Sequence, residues 1–139
     1  MKQKLFVDTN VLCAIYNPQD SQHVKAQKII PLIQEYNPIV SNFILLETYT
    51  ILSQRISKNF AIDFGNGVYK DHVFTVIWIS RQIEDDTWRT FTSIKDKNFS
   101  YVDASILAVI RKERITHLIS FDEYFKKLEQ EFKFNLLGV

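Results

Sequence analysis

The feature that most constrains this chain is a series of apolar runs too short for helices, each separated from the next by a longer, helix-like stretch. Leu5-Phe6-Val7 stops at Asp8; Pro38-Ile39-Val40-Ser41, Val73–Ile79, His117-Leu118-Ile119-Ser120 and Phe134–Leu137 follow. Val73–Ile79, rich in β-branched and aromatic residues, reads as the clearest strand. Between these runs come an apolar stretch from Val11 to Tyr16 ended by Asn17-Pro18, and a helical pattern from Ser21 to Tyr36 that Pro31 should bend or interrupt. A strong helix spans Phe43 to Ile56, capped by Ser41 or Asn42. Phe60–Asp71 reads as a helix weakened by Gly65 and Gly67. Helices opening at Ser80 and Ser100 follow, and a last one is expected over Asp122–Glu131. Buried strands alternating with helices imply βαβ crossovers: an α/β fold with a mainly parallel sheet covered on both faces. At 139 residues the chain reads as one domain over 1–139.

Composition narrows the function. A hydrophobic fraction of 46% with 24% charged residues excludes disorder. Three glycines, Gly65, Gly67 and Gly138, complete no phosphate-cradling loop, which excludes nucleotide binding through one. A single cysteine, Cys13, excludes an internal disulfide and a cysteine zinc site, and reads as a small core residue. The first apolar run is too short for a signal peptide, and no stretch approaches the roughly 18 apolar residues of a membrane span. The expectation is a cytoplasmic protein with no membrane partner.

In doubly wound folds, sites form beyond the carboxyl ends of the strands. Two acids stand there, Asp8 after the first strand and Asp122 after the fourth. Glu47 lies within an apolar helix flanked by Ile44 and Ile51, and Asp103 opens the helix after Ser100. Each has a modest alternative: Asp122 as a helix cap, Asp103 as a capping-box partner of Ser100, Asp8 as a turn former. Glu47 resists dismissal, because no base lies one turn away to offset its desolvation. Four carboxylates gathered at one sheet edge would repel one another, and a divalent cation removes that repulsion. Oxygen donors without histidine or cysteine point to Mg²⁺ or Mn²⁺ rather than zinc.

The blocks Phe6-Val7-Asp8-Thr9-Asn10-Val11-Leu12, Ser41-Asn42-Phe43-Ile44-Leu45-Leu46-Glu47-Thr48, Ser100-Tyr101-Val102-Asp103-Ala104 and Leu118-Ile119-Ser120-Phe121-Asp122-Glu123-Tyr124-Phe125 occur in this order along nearly the whole chain. Together they resemble the PIN-domain family, and within it the VapC-type toxins of bacterial toxin–antitoxin systems. Ser120 stands where that family more often has threonine, which keeps the hydroxyl. The resemblance implies a single three-layer α/β/α domain and a metal-dependent endoribonuclease. Asp8, Glu47, Asp103 and Asp122 would surround Mg²⁺ or Mn²⁺, with Asn10 and Ser120 as supporting polar groups. It also implies an RNA substrate, an antitoxin partner and a homodimer. The chemistry is consistent, since a divalent cation activates water and relieves transition-state charge, so no histidine base is required. In-line attack would leave a 3′-hydroxyl and a 5′-phosphate.

His23, His72 and His117 share no motif, so a histidine-pair ribonuclease is disfavoured. Trp78 reads as core within its strand; Trp88, in a helix among polar residues, is open to more than one reading. Three competitors remain: a processing nuclease without an antitoxin, a phosphoryl-transfer signalling module, and a non-catalytic binding domain. The charge count bears on them. Lys and Arg total 17 against 16 Asp and Glu, a net +1. Four acids drawn into one site would leave a mildly basic remainder, which suits a polyanionic substrate.

Overall fold

In the computed structural model, which describes residues 1–139, the apolar runs form one five-stranded, all-parallel sheet: β1 Lys4–Val7, β2 Asn37–Ser41, β3 Thr75–Ile77, β4 His117–Ile119 and β5 Asn135–Leu137. Their order is β3-β2-β1-β4-β5, with Phe6 opposite Ile39 on one side and Leu118 on the other. The helices are α1 Thr9–Tyr16, α2 His23–Gln34, α3 Asn42–Arg55, α4 Lys58–Tyr69, α5 Arg81–Ser93, α6 Tyr101–Glu113 and α7 Glu129–Phe132. From β1 to β3 the chain steps one way across the sheet; from β3 to β5 it steps the other way. Right-handed crossovers therefore place α1–α4 on one face and α5–α7 on the opposite face. The burial agrees: Leu5, Phe6 and Val7 are all fully covered, although their side chains alternate between faces. The reversal of direction falls between β1 and β4, and that is the crevice the fold provides.

Four local features differ from the sequence reading. The strand expected over Val73–Ile79 contains only Thr75–Ile77, and it lies at the sheet edge. Trp78 falls outside the strand and is 67% exposed rather than core. Edge position explains this, since half of the strand's surroundings are solvent and β-propensity alone buries nothing. The helix expected over Asp122–Glu131 is a 3₁₀ turn, Glu123–Leu128, followed by the single α-turn of α7. Helix α4 runs unbroken through Gly65 and Gly67. A Cβ on Gly65 would lie 3.3 Å from the Tyr49 ring, so glycine there permits α4 to approach α3 closely. Pro31 lies inside α2 without ending it. Cys13 is buried as expected, and burial pushes its thiol up to about 12.

Candidate active site

Asp8 ends β1 and caps α1: its own N–H donates to Ile119 O at 3.0 Å, which aligns the ends of β1 and β4. Its carboxylate is 5% exposed. Oδ1 accepts the Thr9 N–H at 2.7 Å, and Oδ2 accepts the Ser120 hydroxyl at 2.7 Å. Ser120 Oγ in turn accepts the Asp122 N–H at 3.0 Å and the Asn10 side-chain amide at 3.3 Å. Asn10 Oδ1 accepts the Phe121 N–H at 3.2 Å. Thus Asn10 and Ser120 tie the start of α1 to the chain leaving β4, and Ser120, so placed, holds Asp8. Asp122 caps the 3₁₀ turn through the Tyr124 N–H at 2.9 Å.

The other wall comes from two helix starts. Ser41, at the end of β2, caps α3 by accepting the Ile44 N–H at 3.3 Å, and Asn42 Oδ1 accepts the Ile79 N–H at 2.8 Å. This fixes the turn of α3 that precedes Glu47. Glu47 itself is half-buried and has neither a salt bridge nor a hydrogen bond to the protein. Asp103 forms the reciprocal capping box with Ser100: its N–H donates to Ser100 Oγ at 3.0 Å, and its Oδ2 accepts the Ser100 N–H at 2.9 Å. The capping role and a role in the site are compatible, because the box uses one carboxylate oxygen only.

Electrostatics join the four acids into one set. Burial pushes Asp8 up to about 7 from 3.8; the charges of Asp103 and Glu47 add to this, while the bonds from Ser120 and Thr9 oppose it. Asp103 is also raised, first by burial and then by Asp122 and Glu47, against the two bonds from Ser100. No three acidic, histidine or cysteine side chains converge tightly enough to form a ready-made ligand cage. Buried hydroxyls without a partner, Thr9 Oγ1 and Thr48 Oγ1, follow directly after Asp8 and Glu47. A loose, all-oxygen donor set fits a hard cation that keeps several of its own waters, and it does not fit a tetrahedral zinc site. A cavity of about 550 Å³ is a separate feature lined by Val7, Leu12, Ile33, Tyr36 and Phe74 among others, and no acid lines it.

The sequence reading missed two cations beside this site. Lys25 Nζ stands 4.9 Å from the centre of the Phe121 ring, and Lys127 Nζ 5.0 Å from that of Tyr124. Both rings lie within two residues of Asp122; the Lys127–Tyr124 pair is local, three residues apart in one 3₁₀ turn, whereas Lys25 reaches Phe121 only through tertiary packing.

A parallel, doubly wound sheet with acids gathered at its switch point defines the class: an α/β protein with an acidic crevice. The chain belongs to the PIN-domain family, whose model matches residues 5–131. It is 30% identical over 123 residues to the 23S rRNA-specific endonuclease VapC20 of Mycobacterium tuberculosis, covering 87% of this chain and 91% of that protein. The crystal structure of that sarcin-ricin loop cleaving toxin superposes with a TM-score of 0.79 at 26% identity, over 89% of this chain and 94% of the other. The fold is shared with VapBC2 from Rickettsia felis, bound to a DNA fragment from its promoter, at a TM-score of 0.69 and 15% identity over 96% of this chain and 97% of the other. No helix is long and apolar enough to cross a membrane.

Proposed function

We propose that this chain is a Mg²⁺- or Mn²⁺-dependent endoribonuclease and the toxin of a toxin–antitoxin pair, acting in the cytoplasm as a homodimer. The observation that carries the reading is Asp8: a buried carboxylate, oriented by Thr9 and Ser120 at the switch point, kept in a field of like charge from Asp103 and Glu47. A site that existed for stability alone would have replaced such a group with a neutral one. Similarity to an rRNA endonuclease supports RNA as substrate, and similarity to toxin–antitoxin complexes supports an antitoxin partner.

In this mechanism Asp8, Glu47, Asp103 and Asp122 would hold the cation. When bound, it supplies an activated water and neutralises charge on the transferring phosphoryl group. Ser120, itself bonded by Asn10, and the Thr9 N–H fix Asp8 in one rotamer, and the capping bonds of Asp103 and Asp122 fix theirs. Lys25 and Lys127 lie at the rim, where they can draw the RNA backbone toward the acids.

Cleavage of RNA with Mg²⁺ or Mn²⁺, with and without chelator, in wild type and Asp8→Asn, tests the proposal. Activity should vanish with chelator and fall about a thousandfold in Asp8→Asn, equivalent to about 4 kcal/mol of transition-state stabilisation. Products should carry a 5′-phosphate; activity that survives chelation, or a cyclic phosphate end, sinks the mechanism.

A further inference from the structure

Helices α3 and α4 enclose a groove of about 440 Å³ that the acidic site leaves unused. Lys58, Ile62, Gly65 and Tyr69, spaced four, three and four along α4, form one wall, and Lys70 closes its end. Tyr49 and Ser53, one turn apart on α3, form the other. The only charged groups lining the groove are the Lys58 and Lys70 ammoniums. The acids of this segment, Asp63 and Asp71, share the Gly67 stripe of α4 instead, where their charges act on the Tyr16 hydroxyl. Within the groove the Tyr49 hydroxyl stands over Gly65, 3.4 Å from where a Cβ would be, buried and without a hydrogen bond. Burial raises its pKa and the neighbouring Tyr69 adds to this, yet the two hydroxyls form no hydrogen bond. A buried donor left in that state is destabilising until an acceptor reaches it.

We infer that this groove is a second RNA-backbone site, in which Lys58 and Lys70 meet phosphates and the Tyr49 hydroxyl donates to a phosphate or sugar oxygen between them. The inference rests on the nuclease reading above and deepens it. Twelve residues of helix separate the two lysines, about 18 Å at roughly 1.5 Å per residue. One small anion does not meet both ammoniums across that span, whereas successive phosphates of one strand do. Tyr69, 65% exposed beside Lys70, adds a ring face on which a base can stack. An acidic protein segment would match the lysines alone. Tyr49 follows Glu47 by two residues, so the groove begins on the helix that carries one of the acids of the site.

Binding of a fluorescent single-stranded oligoribonucleotide of about 12 nucleotides, followed by anisotropy in the presence of chelator, tests this without requiring cleavage. Lys58→Gln/Lys70→Gln should weaken binding about tenfold and lower the slope of log K against log salt by about 1.4, twice the ~0.7 of one phosphate contact. Both lysines are exposed, so the fold is not at risk. Lys95→Gln/Lys97→Gln removes the same charge from the exposed turn before α6, on the other face of the sheet, and should change binding less than about twofold. Tyr49→Phe should weaken binding about threefold without lowering stability, since the hydroxyl it removes bonds nothing in the free protein. Equal losses in the two lysine pairs would reduce the effect to net charge and overturn the groove, as would unchanged binding in Lys58→Gln/Lys70→Gln. Polyglutamate that binds as tightly, with the same lysine dependence, would overturn RNA in favour of an acidic protein segment. Groove-dependent binding by a wild type that cleaves no RNA would retain the groove and discard the nuclease reading. Cleavage with groove-independent binding would retain the nuclease and overturn the groove.

Discussion

The two walls of the acidic site are built differently. On the β1–β4 side, Asp8, Asn10, Ser120 and Asp122 are joined by three hydrogen bonds that meet at Ser120, two more tie Asn10 and Asp122 to the Phe121 and Tyr124 backbone, and Asp8 is almost wholly buried. On the α3 side, Glu47 is half-buried and bonded to nothing in the protein. The first wall fixes a charge rigidly at a desolvation cost; the second keeps a charge adjustable at little cost. A cation site served by both would have one ligand that sets its position and another that adapts to it.

The largest test of this contrast is the stability of the metal-free protein against pH. Asp8 has a folded pKa of about 7 against 3.8. Because the folded value is the higher one, its contribution to stability is complete below pH 4 and is lost as pH rises through 7. About three units correspond to a loss on the order of 4 kcal/mol between pH 4 and pH 8. Denaturant unfolding at pH 5 and pH 8 should show wild type weaker at pH 8. Asp8→Asn should lose most of this slope, keeping only the part that the raised Asp103 contributes, and Mg²⁺ should restore wild type selectively at pH 8. A flat wild-type profile would mean that the first wall bears no such cost.

Ser120→Ala attacks the same wall from the other side. It removes the donor to Asp8 Oδ2 and the acceptor for the Asp122 N–H, a loss of about 2–3 kcal/mol for a charged acceptor. Since the Ser120 bond lowers the Asp8 pKa, its removal should also push the midpoint of the pH profile above 7. Gly138→Ala makes a control. Gly138 has φ +96°, and a Cβ there would come within 2.9 Å of Ser120 O. The strain should cost about 1–2 kcal/mol, and most of that cost should be independent of pH.

Which features the sequence revealed follows the same division. Asp8 and Asp122 were legible because each sits where an apolar strand stops, and chain order alone puts such positions at the crevice. The Ser100–Asp103 capping box was legible from spacing, and the structure contains it. Trp78 was misread because strand composition does not distinguish an edge from a centre. The 3₁₀ turn over Glu123–Leu128 was misread because Phe125, Leu128 and Phe132, spaced three and four apart, are buried equally well by a helix or by a 3₁₀ turn running into a short one. Lys25 over Phe121 was invisible, because it joins residues that only tertiary packing brings together.

The smallest expected effect is the most discriminating. Glu47→Gln removes the α3 charge while keeping its shape, and no hydrogen bond to the protein is lost with it. Relief of repulsion toward Asp8 and Asp103 should raise metal-free stability at pH 8 by about 0.5 kcal/mol or less, roughly 1–2 °C in Tm. The Asp8 midpoint should move slightly down, since Glu47 is one of the charges that raises it. The stabilisation gained on adding Mg²⁺ should shrink by more than the apo protein gains, because the variant lacks one carboxylate for the cation. If Glu47→Gln instead costs as much as Ser120→Ala, Glu47 is part of a structural network, the two walls are alike, and the adjustable ligand has to be sought at Asp103 or Asp122.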